Sequence, residues 1–183
     1  MVVLAVMLAT MNVASATDIY VNETGWWIEV FNESSTPIQS AVNNATGGDT
    51  INVAAGTYNE KLIINKAGIT LQGDGSYPQI KPALLTSSKY DTVITVQANE
   101  VTIRGFDISN ALGVVDTGGL PGGTHIEHHG IWDGSWIVGP SGLTVDDCKF
   151  HDIEHGVRSY GDGFTVTNCE FYRLGRTGVY ASG

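Results

Sequence analysis

Residues 142–161 read GLTVDDCKFHDIEHGVRSYG, and residues 163–183 read GFTVTNCEFYRLGRTGVYASG. Thr144, Val145, Cys148 and Phe150 return as Thr165, Val166, Cys169 and Phe171, each 21 positions later, and Gly156-Val157 returns as Gly178-Val179 after 22. Both segments alternate apolar with polar residues, are rich in β-branched and aromatic side chains, and are punctuated by Gly, with Asn in the second. That pattern predicts short strands joined by turns. Helical repeats have another length and composition. A lone unit of this kind cannot bury its inner face. Stacking units in parallel makes one continuous core and pairs each strand with the units above and below.

The same signal runs backward through the chain. Val101-Thr102-Ile103 lies 42 positions before Leu143-Thr144-Val145, two periods, with an inserted loop over about Leu112 to Glu127. Ile69-Thr70-Leu71-Gln72-Gly73 anticipates Val101-Thr102-Ile103-Arg104-Gly105, with an excursion through Tyr77 to Tyr90, and Ile51-Asn52-Val53 reads as the first rung. About five or six coils are expected from Ile51 onward, stacked about 4.8 Å apart.

An open end of such a stack needs a cover. Ser35 or Thr36 is a suitable N-cap, Pro37 suits the first helical position, and Ile38, Ala41, Val42 and Ala45 share one helical face before Gly47-Gly48 stops the helix. The segment TPIQSAVNNATGGDTINVAAGTYNEKLIINKAGITLQGDG, with its amphipathic helix, Gly-Asp turn and AGTYNE motif, resembles the opening of right-handed parallel β-helix proteins of the pectate-lyase-like superfamily. The stretch DIYVNETGWW together with FNESSTPIQ is similar to the start of archaeal cell-surface β-helix proteins of methanogens. The resemblance covers about Thr36 to Gly183 and implies an all-β, right-handed parallel β-helix with a short N-terminal capping helix. It implies no single activity, because that superfamily includes lyases, hydrolases, epimerases, adhesins and inert surface proteins.

Residues 2–11 (VVLAVMLATM) are almost wholly apolar and precede Ala14-Ser15-Ala16, which predicts a signal peptide over residues 1–16, although no Lys or Arg stands ahead of the run. The run is short for a membrane span, which takes about 20 residues. Residues 17–50 then form an N-terminal strand and the capping helix, and residues 51–183 the coils. Sequons at Asn22, Asn32 and Asn44 are compatible with export. These features place the protein outside the cell or on its surface. Nineteen Asp and Glu against nine Lys and Arg argue against general binding of nucleic acid or anionic membranes. No phosphate-binding glycine loop is present; Gly73-Asp74-Gly75 reads as a turn.

Cys148 and Cys169 occupy equivalent repeat positions, so the two thiols should stack on the inner face beside Phe150 and Phe171. A disulfide or metal ligation is the other use of such a pair. Asp147 and Asn168 are expected at a turn.

Anchored on Gly130, Gly156 and Gly178, the next residue is apolar in each case (Ile131, Val157, Val179), so the residue after it should face outward. Those residues are Trp132, Arg158 and Tyr180. A strip of this composition suits a sugar chain, since rings pack on pyranose faces and Arg pairs with carboxylate or sulfate. It also suits a self-stacked ladder with Arg158 between two rings.

Most titratable groups border that strip: Glu127, His128, His129 and Asp133, then Asp152, Glu154 and His155, then Arg173 and Arg176. β-Elimination from a uronic acid would use Arg158 or Arg176 as the cation and His155 as the base. Hydrolysis would pair Asp133 with Asp152 or Glu154. His129 joins Trp132, Arg158, Tyr180 and Arg176 as a candidate substrate contact. His125, His128 and His129, with His151 and His155, raise a zinc reading, but neighbours on a strand face opposite ways and no recognised zinc spacing is completed. No cofactor is expected; calcium on Asp146, Asp147 or Asp162 has only composition behind it.

Two classes of function follow: binding and cleavage of extracellular polysaccharide, as in polysaccharide lyases or the disaggregatase-type hydrolases of methanogen envelopes, and a non-catalytic surface-layer or adhesion module. No cap follows the last repeat at Gly183, so further rungs are expected in the intact protein.

Overall fold

The computed structural model describes residues 15–84, 90–114, 127–134 and 137–181. The expected signal peptide falls almost wholly outside them, as do His125 and most of the insertion loop.

The chain opens with an antiparallel meander, β1 (Asp18–Asn22), β2 (Gly25–Trp27) and β3 (Phe31–Glu33), and one short helix, α1 (Pro37–Asn44). Five strand triplets follow. They are β4 (Thr50–Val53), β5 (Thr57–Tyr58) and β6 (Leu62–Ile64); β7 (Thr70–Gly73), β8 (Gln79–Ile80) and β9 (Tyr90–Val96); β10 (Thr102–Arg104), β11 (Asp107–Ser109) and β12 (Glu127–Trp132); β13 (Thr144–Asp146), β14 (Lys149–His151) and β15 (His155–Ser159); and β16 (Thr165–Thr167), β17 (Glu170–Tyr172) and β18 (Thr177–Ala181). Each strand pairs in parallel with the strand three places on, which builds three parallel sheets, the first extended through β1 into the meander.

Register follows the repeat. Thr50, Thr70, Thr102, Thr144 and Thr165 align on the first sheet, and the next residues, Ile51, Leu71, Ile103, Val145 and Val166, point inward. On the second sheet Tyr58, Ile80, Ile108, Phe150 and Phe171 align, with the two phenyl rings stacked at 5.1 Å. Leu62, Ile94, Ile131, Val157 and Val179 complete a third row. Three apolar rows converge on one core, which is what lets units of about twenty residues exclude water together. Cys148 is buried and Cys169 half-buried, and both are free thiols. The contact with Cys169, together with burial, pushes the Cys148 thiol well above its ordinary pKa.

Left-handed backbone makes the corners. Gly105, Asp147 and Asn168 have φ of 74°, 51° and 53°; Asp152 and Arg173 have 55° and 48°; Gly68, Glu100, Gly142 and Gly163 have 71°, 58°, 72° and 66°. Each set recurs at one place in successive triplets; Gly, Asn and Asp take this conformation with little or no steric penalty, and Glu100 and Arg173 are held in it against one.

Helix α1 buries Pro37, Ile38, Ala41 and Val42, and Ala45 is buried just beyond it. Thr36 is the N-cap but makes no side-chain cap bond. Glu60, distant in sequence, does that work: Ile38 N donates to its Oε1 and Gln39 N to its Oε2, both at 3.0 Å.

Candidate functional site

The third sheet carries the densest chemistry because its strands break the usual alternation. A Cβ on Gly130 would meet Phe150 Cδ1 at 2.7 Å and Ile153 Cδ1 at 2.9 Å, so this position faces the core, and Ile131 beside it is fully buried in that core. Two successive inward positions bring residues three apart onto the same outer face. His129 therefore lies against Trp132, ring centroids 5.2 Å apart. Gly156-Val157 repeats the arrangement one triplet on and groups His155 with Arg158.

Trp132, Arg158 and Tyr180 align across β12, β15 and β18. The Arg158 guanidinium stands 5.0 Å from the Tyr180 ring centroid, Tyr160 lies 5.9 Å from Tyr180, and Tyr90 lies 6.4 Å from Trp132. A shallow depression of ≈ 250 Å³ runs from Trp132 and Tyr90 toward Lys61, Asp91 and Thr95. Tyr90 and Tyr160 were not singled out from the sequence. For Tyr160 the signal was its place two residues after Arg158, on the same side of an extended chain.

Arg158 departs from an exposed cation on this strip. It is only 9% exposed. Nη1 donates to Glu127 Oε2 at 2.7 Å and lies 3.3 Å from His129 Nε2, while Nε and Nη2 donate to the Tyr160 hydroxyl at 3.2 and 2.7 Å. Burial works against its charge, but the bonds to Tyr160 and Glu127 outweigh it and raise the guanidinium pKa. Arg176, by contrast, is exposed, with its backbone N–H donating to Glu154 O.

The imidazoles of His129 and His155 stack at 5.1 Å with a 16° interplanar angle. Burial, the neighbouring His155 and the Arg158 charge depress the His129 pKa from 6.5 to about 3, and burial lowers that of His155 as well. Both rings are therefore neutral at ordinary pH. One ligand atom each from Glu127, His129 and His155 fall within 4.8 Å of one another. His128 faces away from His129 into the protein, its Nδ1 3.5 Å from Glu154 Oε2.

The candidate carboxylates are dispersed. Asp133 is buried and its Oδ2 accepts hydrogen bonds from Ser159 Oγ at 3.1 Å, from Gly161 N at 3.1 Å and from Tyr160 N, which fastens the loop after β15. Asp152 lies before β15, where Arg173, burial notwithstanding, and His151 hold its carboxyl below the usual carboxylate range. Asp152 directly follows β14, whereas Asp133 holds the residues at the end of β15, so the strand lies between them. Glu154 pairs with His128. His151 sits between Asp107 and Asp152 at 2.7 and 2.6 Å, on the second sheet. Of the three aspartates named for calcium, Asp146 accepts from Thr167 and Asn168 at 2.8 Å and Asp147 from the Tyr77 hydroxyl at 2.6 Å.

Among the described residues no helix is long and apolar enough to cross a membrane. No protein-family model matches this chain, and no curated protein sequence matches it. The class defined by fold and site is a mostly β protein of three parallel sheets, whose third sheet carries an aromatic strip beside a histidine cluster.

Proposed function

We propose that this chain is a right-handed parallel β-helix of the pectate-lyase-like kind, displayed outside the cell or on its surface, that binds extracellular polysaccharide along the outer face of its third sheet. The observation that carries the reading is the column Trp132, Arg158 and Tyr180, extended by Tyr90 and Tyr160 into a row of ring faces. Ring faces spaced along parallel strands suit successive sugar residues, which offer apolar C–H faces to aromatic side chains. Arg158 stiffens the row from beneath, since its charge is already matched by Glu127. Recognition of an acidic sugar falls instead to exposed Arg176.

Hydrolysis by a carboxylate pair has little support, because two such groups must flank one bond at roughly 5–9.5 Å. Asp133 is enclosed by the 159–161 backbone at one end of β15, Asp152 is bound by Arg173 and His151 beyond the other, and Glu154 is buried against His128. Binding without cleavage, as in an adhesion or surface-layer module, is the form favoured here.

The test is retention of the protein on immobilised neutral and acidic polysaccharides, with Trp132→Ala and Tyr180→Ala compared with wild type. Both variants should lose retention while keeping the fold, and Arg176→Gln should lose it on acidic matrices alone, in a salt-dependent way. Equal retention of all four proteins would sink the reading. Release of reducing ends or unsaturated products would move the assignment to an enzyme.

A further inference from the structure

Beyond glycan binding, the histidine cluster calls for an explanation of its own. His129 is fully buried and His155 is 6% exposed. Neither ring nitrogen of His155 has a hydrogen-bond partner. Burying such groups without partners is costly, by about 1–3 kcal/mol each. A chain that needed only to fill this space would be better served by apolar side chains. We propose that Glu127, His129 and His155 bind one divalent transition-metal ion, through a carboxylate oxygen and one ring nitrogen of each histidine.

Four observations converge on this. The ligand atoms already lie within 4.8 Å of one another, against the separation of about 3.3 Å set by metal–ligand bonds near 2.0–2.1 Å. The backbone fixes their placement, because β12 and β15 are paired with His129 directly opposite His155, and Glu127 is two residues from His129 on the same side. Glu127 holds Arg158 through Oε2 alone, which leaves Oε1 for an ion, and the same guanidinium, 3.3 Å from His129 Nε2, borders the cluster on one side. Two imidazoles and one carboxylate form a nitrogen-rich donor set that suits zinc, iron or cobalt rather than calcium or magnesium, which prefer oxygen. The alternation expected of neighbouring histidines holds: His128 turns inward to Glu154, so the pair of ligating histidines is His129 and His155, contributed by different strands.

The test uses tag-free protein, dialysed against chelator and titrated with Zn²⁺ by calorimetry and with Co²⁺ by visible absorption. Wild type should bind one ion per chain, with the intense ligand-field bands of low-coordinate Co²⁺, and should melt at a higher temperature with Zn²⁺ present. Glu127→Gln, close in shape to the native side chain, and His155→Asn should each lose more affinity than the roughly 10–100-fold that a change in an outer partner causes. His151→Ala, on the second sheet, should bind as wild type does. Folding of each variant is verified by circular dichroism, and Glu127→Gln suffices if His155→Asn does not fold. Absence of Zn²⁺ and Co²⁺ binding by folded wild type would overturn the proposal, as would wild-type affinity in folded Glu127→Gln.

Discussion

Arg158 Nη1 donates to Glu127 Oε2 at 2.7 Å across neighbouring strands, with the two side chains only 10% and 18% exposed. Removing one partner of a well-covered pair leaves the other charge poorly solvated, which is more costly than the pair is worth intact. Arg158→Ala is expected to destabilise by about 2–4 kcal/mol, and Arg158→Ala/Glu127→Gln by less than the sum of the single changes. Denaturant melts of the three variants check this. Additive losses would show that the two groups act independently.

Gly156 faces the core in the gap between two triplets. A Cβ there would stand 2.5 Å from Gly178 O and 2.5 Å from Phe171 Cε1, whereas a Cβ on Gly178 meets nothing nearer than Phe171 Cγ at 3.2 Å. Gly156→Ala should cost about 1–3 kcal/mol as overpacking, and Gly178→Ala markedly less. Thermal melts of both variants give the ordering, and a reversed order would contradict the packing.

Helix α1 depends on a carboxylate from outside it. Glu60→Ala removes both acceptors for Ile38 N and Gln39 N and should cost about 2 kcal/mol. Glu60→Gln, which keeps one acceptor, should lie between Ala and wild type. Burial raises the Glu60 pKa despite these backbone bonds. Its charged form is thus less favourable folded than unfolded, and wild-type stability should gain from Glu60 protonation as pH falls toward the ordinary glutamate range. In Glu60→Gln that increment should vanish, which urea melts at stepped pH can resolve.

Arg173 Nη2 donates to Asp152 Oδ2 at 2.6 Å, and the pair lies at an exposed corner, Arg173 being 61% exposed. The contact depresses the Asp152 pKa, so its stabilisation is full above the unfolded value of about 3.9 and is lost as pH falls through the folded value. Solvent screening keeps it small. Arg173→Gln should therefore be slightly less stable than wild type at neutral pH, with the gap closing below about pH 4. A gap that persists undiminished in strong acid would mean that Arg173 acts through something other than Asp152.

Register was legible in the sequence because the repeat writes it down. Thr144 over Thr165, Val145 over Val166 and Phe150 over Phe171 are residue pairs whose identity is dictated by sharing one position in a stacked unit. The inward rows, the left-handed corners at Asp147 and Asn168 and the apolar face of α1 follow from the same local rules of alternation, turn chemistry and helical period. The column Trp132, Arg158 and Tyr180 was equally readable, since the glycine-anchored offset is constant in all three strands.

Partnership was decided only in three dimensions. Arg158 finds Glu127 31 residues away, and Asp133 finds the 159–161 loop 26 to 28 residues away. Insertions between triplets make such separations unequal, so no fixed spacing marks them. Burial was hidden for the same reason. An outward-facing residue is ordinarily exposed, but here the breaks in alternation at Gly130 and Gly156 crowd His129, His155 and Arg158 onto one patch of the outer face, where they cover one another. Sequence periodicity determines which face a side chain takes; how much water remains on that face depends on the neighbours that packing brings to it.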